Sequence, residues 1–244
     1  MTTIVVLADP PVAGHVLEEL TPDPLSESEA RDLYAAMLTD VCETIQRGDA
    51  SLLVNYRPAD QLDLSVDSES QLRDLLDEEL DESPRYEPQV GETYSGRVGN
   101  ALTHLLETEE VPTVAVIDPT AVFLRRDTIG TLFMKLRASD VVLAPSLGGR
   151  VAVAAFGEPV DFADAFAPPA IETLTSRALA ADLDVEFLDV MPVVESPEDL
   201  ATAVALASAR RDAGRIVPPR TTARLEAFGL TVAEDGTVTR VGAD

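Results

Sequence analysis

Hydrophobic residues follow two regimes along this chain. Short apolar runs alternate with longer stretches in which apolar positions recur every three or four residues. The first run, residues 3–8 (Thr-Ile-Val-Val-Leu-Ala), reads as a strand buried on both faces. A loop rich in Pro and Gly occupies residues 9–24. Ser26 and Glu29 then stand at capping-box spacing, and Leu33, Tyr34, Met37, Leu38, Val41, Cys42 and Ile45 form one helical stripe. Residues 51–56 predict a second strand. Residues 67–82 predict an acid-rich amphipathic helix with Leu72, Leu75, Leu76 and Leu80 on one face.

Residues 91–99 predict a loop leading into a helix that turns Val98, Ala101, Leu102, Leu105 and Leu106 inward. A strand over 113–118 ends in Asp118-Pro119, and a helix carrying Ile129, Leu132, Phe133 and Leu136 follows. Strands over 140–145 and 150–156 are separated only by residues 146–149, which suits a hairpin. A helix over 170–180 precedes a strand over 183–190. Ser196 as N-cap, Pro197 in the first turn and two acids behind it open another helix. Beyond residue 211 the pattern changes: Arg215, Arg220 and Arg224 continue a cluster begun by Arg210 and Arg211. A short helix there is followed by a hairpin turning at Asp235-Gly236. This divides the chain into a main domain, 1–211, and a C-terminal appendage, 212–244, packed on it.

Strands alternating with helices predict a three-layer α/β/α sandwich around a Rossmann-like, mixed but mostly parallel sheet of about seven strands. Residues 4–8, 114–118 and 141–145 are expected near its centre. Ligands in such folds bind beyond the carboxyl ends of the strands, so the loops 9–24, 91–99, 118–124, 146–149 and 192–195 are the ones to inspect.

Charge narrows the partners. Asp and Glu number 44 against 18 basic residues, a formal charge of -26, and Lys135 is the only lysine. Such a field repels nucleic acid and anionic lipid. Acid excess with lysine nearly absent resembles the surface of a protein from a salt-in halophile. There, molar salt shortens the Debye length to about 3 Å and screens the self-repulsion. No apolar run approaches the roughly 20 residues that span a bilayer, and the N-terminus carries no basic segment of a secretory signal. The expected location is cytoplasmic. A single cysteine and two histidines exclude an intrachain disulfide and any multi-Cys or multi-His metal site. Cys42 lies in an apolar stripe and reads as a packed thiol.

No Walker A motif, no G-x-G-x-x-G after the first strand and no G-x-S-x-G elbow occurs. What remains is a series of loops in order. They are Pro10-Pro11-Val12-Ala13-Gly14-His15-Val16, Gln89-Val90-Gly91 with Gly96-Arg97-Val98-Gly99-Asn100-Ala101, and Ile117-Asp118-Pro119. Gly148-Gly149 and Ser196-Pro197-Glu198-Asp199-Leu200 complete the series. Over residues 3–210 it resembles the GT-A-like, nucleotide-diphospho-sugar transferase-like proteins, relatives of the 2-phospho-lactate guanylyltransferases.

The resemblance implies a nucleotide or nucleotide-sugar partner, a Mg²⁺ or Mn²⁺ ion, and transfer of a glycosyl or nucleotidyl group. It assigns Pro11, Gly14, His15, Arg97, Asn100, Gly148 and Gly149 to nucleotide and phosphate, and Asp118 and Glu195 to the metal. The departures matter equally. Asp9 stands where the family places lysine, and Leu17, Glu18 and Glu19 stand where it places Lys-Thr-Arg. Two carboxylates would then face a polyphosphate where cations are expected, which predicts weak binding of triphosphates. Two readings stay open: a transferase acting on a nucleotide-linked substrate, or a non-catalytic GT-A-like module that binds a ligand or a protein.

Overall fold

The computed structural model describes residues 2–62 and 64–241. The elements, in chain order, are β1 (Thr3–Ala8), α1 (Glu27–Arg47), β2 (Ser51–Tyr56), α2 (Ser68–Leu76), β3 (Arg85–Pro88), α3 (Tyr94–Thr103), β4 (Val114–Ile117) and α4 (Arg126–Lys135). They continue with β5 (Val141–Pro145), β6 (Val151–Phe156), α5 (Ala170–Ala180), β7 (Val185–Phe187), α6 (Pro197–Asp212), α7 (Pro219–Ala227), β8 (Leu230–Val232) and β9 (Val238–Arg240). Seven strands form one sheet in the order β3-β2-β1-β4-β6-β5-β7. All run parallel except β6, which is antiparallel to both its neighbours, β4 and β5.

Strand alternation divides the core. Ile4, Val6 and Ala8 face α1, α2 and α4, packing on Val41, Cys42, Leu72 and Ile129. Val5 and Leu7 face the other way, toward Val98 and Leu102 of α3 and Leu174 of α5. The single stripe expected on α1 is in fact two adjacent ones. Tyr34, Leu38, Val41, Cys42 and Ile45 pack on the sheet, whereas Leu33 and Met37 face a third core with Leu200 and Val204 of α6 and Leu225 of α7. A helix covered on two sides needs an apolar arc wider than one stripe. The α1 capping box of Ser26 and Glu29 is present as expected.

Other boundaries depart from expectation for local reasons. The helix expected over 67–82 stops at Leu76, because Asp77, Glu78 and Glu79 would place three negative charges at its carboxyl end. The loop expected over 91–99 is shorter: Thr93 caps Gly96 N–H at 3.0 Å, so Gly96, Arg97 and Gly99 are already helical. The strand expected over 183–190 is only three residues long, an edge strand paired to β5 alone. The seventh strand, β3, is a polar edge segment (Arg-Tyr-Glu-Pro) with no apolar run to announce it. Of the strands expected at the centre, β1 and β4 are there. β5 is displaced toward the edge because antiparallel β6 inserts between it and β4.

Residues 213–241 wrap back over α1 and α6. The carboxylate of Asp40 on α1, 3% exposed, accepts from Thr221 N–H and Thr221 O–H at 2.8 Å each and so caps the start of α7. The hairpin of β8 and β9 turns at residues 233–237, and Arg240 pairs with Glu29. Among the described residues no helix is long and apolar enough to cross a membrane.

Candidate functional site

Strand register places the site. The residue following β1 is Asp9, that following β2 is Arg57, that following β3 is Gln89 and that following β4 is Asp118. Because β6 runs the opposite way, the residue preceding it, Arg150, reaches the same edge. All five line one open cleft of about 550 Å³, together with His15, Leu17, Glu18 and Glu19 of the first loop, Tyr94 and Arg97 of α3, and Glu195. The cleft opens where the chain switches direction about β1 and β4, as expected for an open α/β sheet.

Among the described residues, two arginines of the cleft, Arg57 and Arg150, are held by carboxylates and a third, Arg97, is not. Arg57 forks onto both carboxylate oxygens of Asp9, Nε to Oδ1 at 2.8 Å. Arg150 Nη1 donates to Glu195 at 2.6 Å and to Asp199 at 2.9 Å. Its Nη2 donates to Asp199 at 2.8 Å and its Nε to the Leu147 carbonyl at 2.9 Å. Arg97 differs. It is half-buried, pairs with no carboxylate among the described residues, and gives one N–H to the Glu92 carbonyl at 3.1 Å. Its Nε is buried with no partner among the described residues. Burial and the nearby Arg57 charge push its pKa down. A buried donor without an acceptor is costly.

Asp118 is held in place by Thr120, whose N–H and O–H both donate to Oδ1 at 2.7 and 2.6 Å. Burial, then the Glu195 charge, push its pKa up to about 7. The Thr120 hydroxyl also accepts Val194 N–H at 3.0 Å, tying the β4 loop to the segment that carries Glu195. Gln89, 3% exposed, donates to the Asn55 carbonyl of β2 at 2.7 Å and to the Ala8 carbonyl of β1 at 3.5 Å, and its own Oε1 has no partner among the described residues. Tyr94, 40% exposed, stands edge-on to Phe166 and offers a flat apolar wall.

Of the residues expected from sequence, His15, Arg97, Asp118 and Glu195 line this cleft. Pro11, Gly14, Asn100, Gly148 and Gly149 do not. Asn100 instead ties α3 to the preceding loop through the Val90 carbonyl at 2.6 Å. Gly148 and Gly149, at φ 68° and 76°, make the tight β5–β6 turn that aims Arg150 into the cleft. The sequence alone does not assign Arg57, Tyr94, Arg150 or Asp199 to the site. The rule that strand ends carry the site would have found Arg57. Asp199 was visible only as part of a helix start, a role it keeps by accepting Ser196 N–H at 3.1 Å.

The divalent ion implied by the resemblance does not fit this donor set. Glu195 and Asp199 are already bound by Arg150, and among the described residues no group of three His, Cys, Asp or Glu side chains converges on a common point.

Comparison with solved structures identifies the architecture. A protein of Desulfovibrio desulfuricans described as a nucleotide-diphospho-sugar transferase superposes with a TM-score of 0.75 at 17% identity, covering 93% of this chain and 94% of that one. This chain has the nucleotide-diphospho-sugar transferase fold. The 4-diphosphocytidyl-2C-methyl-D-erythritol synthase of Anaerococcus prevotii shares the fold at TM-score 0.54 and 13% identity, over 85% of this chain and 96% of that one. CMP:2-keto-3-deoxy-manno-octonic acid synthetase shares it at 0.51 and 12%, over 86% and 99%. No family model matches the chain, and no curated protein matches its sequence. The cleft lies at the switch point of this fold.

Proposed function

We propose that this cleft binds a nucleotide or nucleotide-sugar, and that the protein is a glycosyl- or nucleotidyl-transferase-like protein acting on that ligand. The observation that carries the reading is Arg97, a half-buried guanidinium with an orphaned Nε, facing the cleft beside Tyr94. It suits one phosphate or carboxylate group, with the Tyr94 ring against a base or sugar. The synthetase of the same fold solved with CTP supports a nucleotide as the ligand class. Glu18 and Glu19 favour ligands with few charges, because each added phosphate brings further repulsion.

The test is calorimetry at high salt with cytidine, uridine and guanosine mono- and triphosphates and a uridine-diphosphate sugar. Monophosphates or the nucleotide-sugar bind more tightly than triphosphates, and Arg97→Ala weakens them about tenfold or more. Absence of binding by every member of the panel overturns the reading.

A second reading has its own observation. Both cations next to Asp9 and Asp118, namely Arg57 and Arg150, are already neutralised by protein carboxylates. That favours a ligand-binding module without transfer chemistry. Phosphorus NMR of the bound nucleotide with candidate sugar and phosphate acceptors separates the two: transfer yields new resonances, and a pure binder leaves the ligand intact.

A further inference from the structure

Asp118 and Glu195 line the β4–β6 side of the cleft, Asp199 is buried and bonded to the Glu195 N–H, and carboxylates withdrawn from water require a countercharge. The sequence supplies one. Arg150 is delivered by the Gly148-Gly149 turn and forks onto Asp199, which is 3% exposed at its side chain, while sharing Nη1 with Glu195. With Nε on the Leu147 carbonyl, each of its three nitrogens has an acceptor. Its side chain is 22% exposed, so the pair is largely withdrawn from water. Asp199 is fixed from behind by the N–H groups of Glu195 and Ser196, at 3.2 and 3.1 Å. The hydrogen bonds from Arg150 hold its carboxyl below the usual range against a burial that pushes it up.

We propose that Arg150 is a covalently tethered replacement for the divalent cation, so that ligand binding in this cleft is independent of metal. A Mg²⁺ or Mn²⁺ ion needs several oxygen ligands free of other partners. Here two of the three carboxylates are committed to a guanidinium that cannot lose its proton. Entry of an ion would break three charge-assisted hydrogen bonds and leave the largely buried guanidinium with the Leu147 carbonyl alone as acceptor. The inference concerns the cation alone and stands whether or not the ligand is a nucleotide.

The probe is Mn²⁺ itself, titrated into the full-length protein at constant ionic strength and read by electron paramagnetic resonance of the free ion. Wild type shows no stoichiometric site dependent on Asp118. Arg150→Ala frees Glu195 and Asp199 to turn toward Asp118 and gains a Mn²⁺ site at least about tenfold tighter than any in wild type. Adding Asp118→Asn to it removes the gain. Arg150→Gln keeps an amide donor near Asp199 and serves if Arg150→Ala does not fold, circular dichroism deciding between them. The same gain is expected. A wild-type Mn²⁺ site lost on Asp118→Asn overturns the proposal. So does a folded Arg150 variant that gains no Mn²⁺ site.

Discussion

Asp9 and Arg57, 48 positions apart in sequence, form a forked ion pair at the floor of the cleft. They meet because β1 and β2 are parallel neighbours with Ala8 opposite Tyr56, so the residue after each strand emerges side by side. The resemblance implies a lysine at position 9; this chain has Asp9 there, with Arg57 beside it.

This pairing gives the first prediction. Asp9→Ala removes a carboxylate and releases Arg57 beside Arg97. Affinity for an anionic ligand, or for inorganic phosphate as a simple probe, rises about tenfold, about 1.4 kcal/mol. Titration calorimetry of the variant against wild type measures it. Unchanged or weaker binding would show that Arg57 does not face the ligand.

Asp118 gives a pH dependence. Its pKa rises on folding from the ordinary 3.8 to about 7, burial being the larger cause and Glu195 the second. The protonated acid is therefore favoured in the folded state. Its contribution to stability is fully present below 3.8, falls as pH rises, and is gone once the folded value of about 7 is passed. Urea midpoints decline across this interval in wild type, and Asp118→Asn makes the decline shallower. An identical slope in the variant would assign the pH dependence to other groups.

The C-terminal segment hangs on Asp40. Asp40→Ala leaves Thr221 N–H and O–H without their acceptor and Arg220 with one carboxylate fewer. The expected loss is about 3 kcal/mol. Limited proteolysis should cut first near residues 213–218, ahead of α7. Stability and cleavage equal to wild type would mean that apolar contacts alone hold α7 on α1.

Surface charge predicts the response to salt. With a formal charge of -26, self-repulsion is strong at low ionic strength. The thermal midpoint followed by circular dichroism should be higher in about 2 M than in about 0.1 M KCl. Equal midpoints would remove the halophile reading of the composition.

The layered architecture was legible because it rests on periodicity. The runs at β1, β2, β4, β5 and β6 are apolar enough to be buried on both faces, and the capping boxes of α1 and α6 mark those helix starts directly. The edge strands β3 and β7 were not legible, or only in part. An edge strand is stabilised by one neighbour's hydrogen bonds and needs no apolar signature.

Local sequence also determined which groups lie at the cleft. A residue that ends a strand must emerge at the sheet's edge, so Asp9, Arg57 and Asp118 were bound to stand there. Which of these charges remain free was decided only by the tertiary structure. Arg57 is neutralised by the neighbouring strand, Arg150 by an acid 49 residues away, and Arg97 by no carboxylate among the described residues. Charge pairing depends on which strands are neighbours and which run antiparallel. That order is set by packing over the whole sheet, and no local stretch of sequence contains it.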